Sequence, residues 1–147
     1  MAKIFCVANQ KGGVGKTTTC VNLAAALQQA GQRTLLIDLD PQGNATMGSG
    51  IDKRALKSSV YHLLVGLTAL AGVRVTSPTG GYDVLPANRD LAGAEVELVN
   101  LEQREKRLRN ALAAFMDDYD FILIDCPPSL SMLTLNGLCC AHGVIVP

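Results

Sequence analysis

A short run of glycines and lysines near the N-terminus has the composition of a phosphate-binding loop. Residues 11–17 read Lys-Gly-Gly-Val-Gly-Lys-Thr and lie between an apolar run and a helical pattern. Glycines let backbone N–H groups converge on a phosphate, and the following helix points the positive end of its dipole at the same place. Lys16 can reach the β- and γ-phosphate oxygens of a nucleotide, and the hydroxyl of Thr17 can bind Mg²⁺. The loop therefore predicts a site for ATP and Mg²⁺.

The loop departs from the usual pattern of phosphate-binding loops at one position. That pattern, G-x-x-x-x-G-K-[ST], places its first glycine at position 10, where this sequence has Gln10. A second lysine, Lys11, stands at the start of the loop instead. Both lysines therefore belong to one short loop that we expect to hold a triphosphate.

Three aspartates follow apolar runs and can serve phosphoryl transfer, which needs a metal and a positioned water more than covalent chemistry. Asp125 ends the run Phe121–Ile124 and suits the metal side of the site, through a metal-bound water. Asp38 and Asp40 end another run, and their alternation sends both side chains to the same side if the strand continues that far. One of them can orient the attacking water. The competing interpretation is that each is only a turn-forming residue, since aspartate is common at strand ends.

These residues need a scaffold, and the pattern of the chain supplies one in which strands alternate with helices. Such alternation predicts an α/β fold of the P-loop NTPase type, with a mostly parallel sheet and helices on both faces. Ligands of such sheets bind beyond the carboxyl ends of the strands, where all three motifs fall. The predicted strands are Lys3–Ala8, Thr34–Ile37, Tyr82–Pro86, Phe121–Ile124 and Gly143–Pro147, and the predicted helices are Lys16–Ala30 (stopped by Gly31), Ser59–Val65, Leu101–Phe115 and Ser131–Ala141.

Length and composition fit one domain over residues 1–147, the domain that carries the predicted site for ATP. Hydrophobic residues make up 48% of the chain and charged residues 18%, which is typical of a globular domain with a real core. The formal net charge of +0 gives no electrostatic footprint for nucleic acid or for an anionic membrane. The five cysteines include no C-x-x-C pair, so we interpret them as reduced residues at apolar positions of a cytoplasmic protein.

At this point the motifs resemble a known family. The segment 11–18, KGGVGKTT, resembles the deviant Walker A motif of the ParA/MinD ATPases, and 121–129, FILIDCPPS, resembles their Walker B region. The segment 38–44, DLDPQGN, resembles the one that ParA-type partition ATPases carry after their second strand. Segments 82–88, YDVLPAN, and 91–95, LAGAE, are similar to the Soj/ParA branch.

The resemblance implies a role for each matching position. Lys11 matches the signature lysine that crosses the dimer interface to the partner's ATP, and Asp40 matches the carboxylate that positions the hydrolytic water. Lys11, Lys16 and Asp40 are thus the implied catalytic residues, and Thr17, Asp38 and Asp125 the implied metal-site residues. The implied nucleotide-binding residues are Lys11, Gly12, Gly13, Val14, Gly15, Lys16, Thr17 and Thr18.

The resemblance also implies a cycle and its partners. Such ATPases form a homodimer around two ATP molecules, the dimer binds DNA without sequence preference, and a ParB-type protein stimulates hydrolysis. No membrane partner is expected, and the implied location is cytoplasmic and nucleoid-associated. ParA-type chains continue well past the point that matches Pro147, and the residues for DNA and adenine belong to that later part. The sequence is therefore expected to be an N-terminal portion of the family fold.

Other interpretations stay open from the sequence. One is a MinD-like division-site ATPase that binds membrane through an amphipathic helix, although DPQGN at 40–44 favours the ParA side. Another is a nitrogenase iron-protein type, but Cys126 does not match its ligand positions. A third, of a different class, is a catalytically inactive fragment that acts by binding full-length subunits.

Overall fold

The computed structural model describes residues 1–8 and 15–147. A six-stranded sheet forms its centre. Its strands are β1 (Lys3–Val7), β2 (Thr34–Asp38), β3 (Val75–Thr76), β4 (Asp83–Leu85), β5 (Phe121–Asp125) and β6 (Gly143–Ile145). Their order across the sheet is β3-β4-β2-β5-β1-β6. All neighbouring pairs are parallel except β3 and β4, which are antiparallel. The expectation of a mostly parallel α/β sheet is confirmed.

Helices connect these strands. They are α1 (Lys16–Gln29), α2 (Asn44–Gly48), α3 (Val60–Leu64), α4 (Leu91–Glu97), α5 (Arg107–Leu112) and α6 (Met132–Cys140). Short 3₁₀ turns lie at Lys53–Ala55, Leu70–Gly72, Leu98–Asn100, Arg104–Lys106 and Ala113–Phe115. Among the described residues, no helix has both the length and the hydropathy that crossing a bilayer requires.

The central strands are buried on both faces, and alternate residues enter two separate cores. Leu35 and Ile37 of β2 pack with the face that carries α3 to α6, whereas Leu36 packs with the face that carries α1 and α2. In β5, Ile122 and Leu123 divide between the two cores in the same way. This period of two explains why the strands read as continuous apolar runs, and it confirms helices on both faces.

Most predicted elements occur with ends shifted by one or two residues. Gly31 ends α1 as expected: it follows Ala30 with a φ of 85° and donates its N–H to the carbonyl of Gln28. Ser59 precedes α3, forming a capping box with His62. The sequence patterns missed three of these elements, which are the short helix α2, the short antiparallel strand β3 and the helix α4.

The single helix predicted over Leu101–Phe115 is wrong. Leu101 is extended, Gln103 is left-handed with a φ of 52°, and only Arg107–Leu112 forms an α-helix. Asn136 of α6 explains the break, since its side chain bonds the carbonyl of Arg104 and the amide of Leu108 at 2.8 and 3.0 Å. An asparagine from another helix thus satisfies backbone groups that a continuous helix would pair internally. The predicted apolar face survives, because its four apolar residues all pack on the core: Leu101, Leu108, Leu112 and Phe115.

Candidate active site

The chemistry-bearing residues meet where three neighbouring strands end. Asp38 of β2 and Asp125 of β5 are directly paired across the parallel register, and Val7 of β1 pairs with Asp125 from the other side. α1 begins at Lys16, close beyond the end of β1. The parallel register therefore places the first turn of α1 beside both carboxylates. This is where ligands of such sheets bind, beyond the carboxyl ends of the strands.

Lys16 is the buried cation of this cluster, with 5% of its surface exposed. Its Nζ lies 2.5 Å from Oδ1 of Asp125 and 3.9 Å from Oδ2 of Asp40. A lysine is rarely buried without compensation, and two carboxylates compensate this one. Lys16 thus joins the ends of α1 and β5 to the residue that follows β2.

Asp125 is fully buried and bonds two consecutive residues of α1. Besides Lys16, the hydroxyl of Thr17 donates to its Oδ2 at 3.1 Å. Burial raises the pKa of the Asp125 carboxyl, and the hydrogen bonds from Lys16 and Thr17 oppose that rise. The aspartate predicted on the metal side of the site therefore lies next to the hydroxyl predicted to bind Mg²⁺.

Asp38 is also fully buried, and its oxygens are occupied by backbone and side-chain donors. The amide of Asp40 donates to Oδ1 at 3.0 Å, and the amide and hydroxyl of Thr46 donate to Oδ2 at 3.0 and 2.7 Å. Burial, followed by the charge of Asp125, raises the pKa of Asp38 to about 7, although the hydrogen bonds from Thr46 oppose the rise. Asp38 therefore holds the segment that carries Asp40.

Asp40 lies in a turn and not on the strand, because β2 ends at Asp38. Its Oδ1 accepts the amide of Gln42 at 3.0 Å, and the amide of Gly43 donates to its carbonyl at 2.9 Å. The side chain is 11% exposed and faces a pocket of about 200 Å³. That pocket is lined by Gly15, Lys16, Thr17, Thr18, Asp40, Asn44 and Pro128.

The described residues suit a nucleotide with its magnesium ion better than a metal held by protein alone. Among residues 1–8 and 15–147, no three His, Cys, Asp or Glu side chains converge to hold a metal. Mg²⁺ commonly takes few protein ligands and completes its shell with substrate phosphates and water. Thr17 and Asp125 can serve such an ion, and Lys16 can neutralise phosphate. The structure thus brings together Gly15, Lys16, Thr17, Thr18, Asp38, Asp40 and Asp125, while Lys11, Gly12, Gly13 and Val14 lie outside the described residues.

Cys126 follows Asp125 directly but is a structural residue. Its thiol is buried, and a hydrogen bond with Cys6 together with burial raises its pKa far above the usual range. A thiol held protonated is a poor nucleophile and a poor metal ligand. Gly137 of α6 makes room for this pair, since a Cβ there would lie 3.0 Å from the Cys126 sulfur and 3.3 Å from the Cys6 sulfur.

Two residues that the sequence patterns did not single out hold the site in place. The Thr46 hydroxyl bonds Asp38 and also accepts the amide of Ala87 at 2.9 Å, which ties α2 to the residues after β4. Glu95 of α4 accepts the amides of Met132 and Leu133 at 3.0 and 3.3 Å, at the start of α6. Of these two residues, only Glu95 belongs to a segment that the sequence analysis had quoted, LAGAE at 91–95. That resemblance did not indicate what Glu95 does.

The family follows from comparison with known proteins. A family model described as an AAA domain matches residues 2–147. This chain belongs to that AAA-domain family. Its resemblance to the Soj/ParA branch is confirmed, since curated Soj and ParA proteins are 46–51% identical to it over its length.

Similar proteins include members of that branch and one solved structure of different name. An uncharacterized protein of Pseudomonas putida is 65% identical over all of this chain and 56% of its own length. The sporulation initiation inhibitor protein Soj of Bacillus subtilis is 50% identical over all of this chain and 58% of its own. A crystal structure described as cobyrinic acid a,c-diamide synthase from Mycobacterium smegmatis, with bound ADP and magnesium, is 50% identical with a TM-score of 0.97. The match to this structure covers 100% of the present chain and 60% of the synthase chain. The chain thus spans just over half the length of these relatives.

Proposed function

We propose that this chain is the phosphate-binding part of a Mg·ATP-dependent ATPase that dimerises on binding ATP and serves chromosome or plasmid partitioning. The observation that carries the proposal is the buried cluster at the strand ends, where Lys16 bonds Asp125 and lies 3.9 Å from Asp40. One pocket is lined by a cation (Lys16), a hydroxyl (Thr17) and a carboxylate (Asp40). Phosphoryl transfer to water needs these three kinds of group. The Soj and ParA names of the relatives favour partitioning among functions that share this site.

Each residue of the cluster has a distinct part in the proposal. Lys16 and the loop at 11–15 bind the phosphates, and Thr17 with Asp125 holds the magnesium ion, Asp125 through a water. Bound magnesium would neutralise charge that develops on the phosphates. Asp40 orients the attacking water, because its side chain faces the pocket while its backbone is fixed by Asp38. Lys11 reaches the nucleotide of the second subunit.

Binding phosphate requires Lys16 to change partners. Its Nζ now bonds Asp125 at 2.5 Å, and a phosphate oxygen offers the same charge-assisted bond. Asp125 keeps the hydroxyl of Thr17 and can turn toward a magnesium-bound water. The exchange replaces one anion by another around the same buried cation, and bound magnesium would offset the charge that remains on Asp125.

The proposed partners are a second copy of the chain, a ParB-type protein that stimulates hydrolysis, and DNA bound without sequence preference. The proposed location is the cytoplasm, on the nucleoid. The alternatives are a MinD-like ATPase that binds membrane and an inactive fragment that binds full-length subunits.

Light scattering in ATP, ADP and no nucleotide tests the switch. ATP with Mg²⁺ is expected to double the mass of the completed, full-length protein that contains this chain, whereas ADP leaves it monomeric. Lys11→Ala is expected to block the ATP dimer, and Lys3→Ala, which removes an exposed lysine from the opposite end of β1, is the matched control. A mass that ATP leaves unchanged would contradict dimerisation of the full-length protein, and a normal Lys11→Ala dimer would contradict the crossing lysine.

A further inference from the structure

A second cleft lies beside the Asp40 turn and is larger than the pocket at the phosphate site. Its volume is about 740 Å³, and its walls are residues 41–42, the turn at Lys53–Ala55 and the loop that enters α4. Sites for small molecules commonly have volumes of about 300–1,000 Å³. Of the described residues assigned to the proposed ATPase reaction, none lines this cleft, which includes only the chain directly after Asp40. The cleft therefore needs an explanation of its own.

The lining of the cleft is basic, although the chain has no net charge. Lys53, Arg54 and Arg89 line it together with the carboxylate of Asp90, and Arg54 is also ion-paired with Asp52. Like charges gathered around a concave surface repel one another, and an anion between them relieves that repulsion. The cleft is thus complementary to an anion that can contact several cationic side chains.

Two of the three cationic groups, those of Arg54 and Arg89, are available to a ligand. Arg89 is exposed, and within the described part of the chain its guanidinium makes no hydrogen bond. Arg54 is 82% exposed and has one weak partner, Asp52, at 3.3 Å. Guanidinium groups present paired donors that match phosphate oxygens, and two of them here face one cleft.

We propose that this cleft binds a phosphomonoester group, carried by a small molecule or by a phosphorylated side chain. A phosphomonoester has a charge close to −2 at neutral pH and three terminal oxygens, which can accept hydrogen bonds from the three cationic side chains of the lining. A carboxylate, with a single charge and two oxygens, matches the lining less well. Among residues 1–8 and 15–147, the cleft shares no lining residue with the pocket at Lys16 and Thr17, so we treat the two as separate sites.

Lys53 links the cleft to the Asp40 turn. Its Nζ donates to the carbonyl of Gln42, and the amide of Gln42 donates to Oδ1 of Asp40. The turn is tightly packed, since a Cβ at Gly43 would lie 2.8 Å from both the carbonyl oxygen of Ala87 and Cδ of Lys53. A phosphate that takes the Lys53 ammonium away from Gln42 would therefore loosen the backbone that positions Asp40. This regulatory consequence rests on the proposed ATPase function, whereas the binding itself does not.

Amide NMR titration of the ¹⁵N-labelled chain with inorganic phosphate at constant ionic strength tests the binding. The amides of Gln42, Arg54 and Arg89 are expected to shift together along one saturable curve. Phosphate at the loop moves the amides of Lys16 and Thr17 along a separate curve, so the two sites are read independently. Shifts in the cleft alone would support this proposal and count against the phosphate-binding loop. Shifts at Lys16 and Thr17 alone would overturn it and leave the proposed function standing.

Variants decide whether the named cations bind the phosphate. The double substitution Lys53→Gln and Arg89→Gln is expected to lower the phosphate affinity measured at the cleft amides at least about tenfold. The affinity measured at the amides of Lys16 and Thr17 should stay unchanged. Lys3→Gln with Lys57→Gln is the control, since it removes two exposed lysines that do not line the cleft. Equal affinity in the two double variants would overturn the assignment.

Other anions separate the possible sources. O-phosphoserine in a short peptide that binds more tightly than glycerol 3-phosphate would indicate a phosphorylated protein, and the reverse order would indicate a small molecule. Either order supports a phosphomonoester site. Sodium acetate that shifts the same amides as strongly as phosphate would show a nonselective basic surface and overturn the proposal.

Discussion

The Nζ of Lys16 lies 2.5 Å from Oδ1 of Asp125, with the cation 5% exposed and the carboxylate fully buried. The two residues are 109 positions apart in the sequence and join the first turn of α1 to the end of β5. Buried ion pairs add little net stability, because desolvation offsets the attraction, but removing one partner is costly. The pair therefore points to a functional requirement for both charges at this place.

Lys16→Ala should abolish nucleotide binding, because the phosphates lose their buried cation. Fluorescence titration with a mant-labelled ATP should show binding weakened at least about a hundredfold. Lys16→Gln, which keeps a donor without the charge, separates loss of binding from loss of fold when both are checked by circular dichroism. Lys3→Ala is the control and should bind normally. Tight ATP binding by a folded Lys16→Ala chain would contradict the assignment of the phosphate site.

Asp40→Ala should leave ATP binding intact and stop turnover. The side chain faces the pocket, whereas the bond from Lys16 to Asp125 does not depend on it. Phosphate release by the full-length protein at saturating ATP should fall by about a hundredfold or more. Asp118→Ala removes an exposed aspartate near the opposite end of the sheet and should hydrolyse ATP like the unsubstituted full-length protein. Normal hydrolysis by Asp40→Ala would remove this residue from the reaction.

Thr46→Val should destabilise the fold without changing its shape. The substitution keeps the side-chain volume but takes one donor from Asp38 and the acceptor from the amide of Ala87, both of which are buried. The unpaired amide of Ala87 and the lost hydrogen bond to Asp38 together should lower the free energy of unfolding in urea by about 3 kcal/mol. Thr76→Val, whose hydroxyl bonds Asp83 at an exposed site, should change it by less than about 0.5 kcal/mol. Equal effects of the two variants would show that Thr46 does not anchor Asp38.

Glu95→Ala should loosen the start of α6. Its carboxylate accepts the first two amides of that helix, at 3.0 and 3.3 Å, and the substitution leaves those donors without their partner. The free energy of unfolding should fall by about 1 kcal/mol, as for the loss of a helix cap. Hydrogen exchange at Met132 and Leu133 should accelerate, while Glu102→Ala, an exposed change, should leave both amides as protected as before. Unchanged protection in Glu95→Ala would refute the link between α4 and α6.

The elements of the fold could be predicted from the sequence where their own residues set the pattern, and not where a distant residue altered the backbone. The buried strands β2 and β5 were predicted almost to the residue, since a strand covered on both faces must be apolar throughout. The predicted helix over Leu101–Phe115 was wrong although its amphipathic period was real. The side chain of Asn136, on another helix, bonds the backbone groups of Arg104 and Leu108 that a continuous helix would pair with each other. β3 was missed because two exposed residues carry no pattern.

The candidate site divides in the same way between local and distant causes. Lys16, Thr17 and Asp125 were predictable, because glycine spacing and the position of an aspartate after an apolar run are local properties of the chain. The expectation that Asp38 and Asp40 point to the same side of one strand did not foresee that β2 ends at Asp38. Thr46 bonds that aspartate from the next helix, so a search for periodicity could not find it.

The sequence by itself determined which residues can bind phosphate and that strands and helices alternate around them, since both follow from residue types and short spacings. Only the tertiary structure decided that Lys16 is paired with Asp125, that Asp38 holds the Asp40 turn, and that Lys53 and Arg89 meet across one cleft. Those relationships join residues from separate loops, and they depend on the register of parallel strands and on the burial of charge. Strand register and the burial of charge cannot be predicted from a local sequence pattern, because each arises only when distant segments pack against one another.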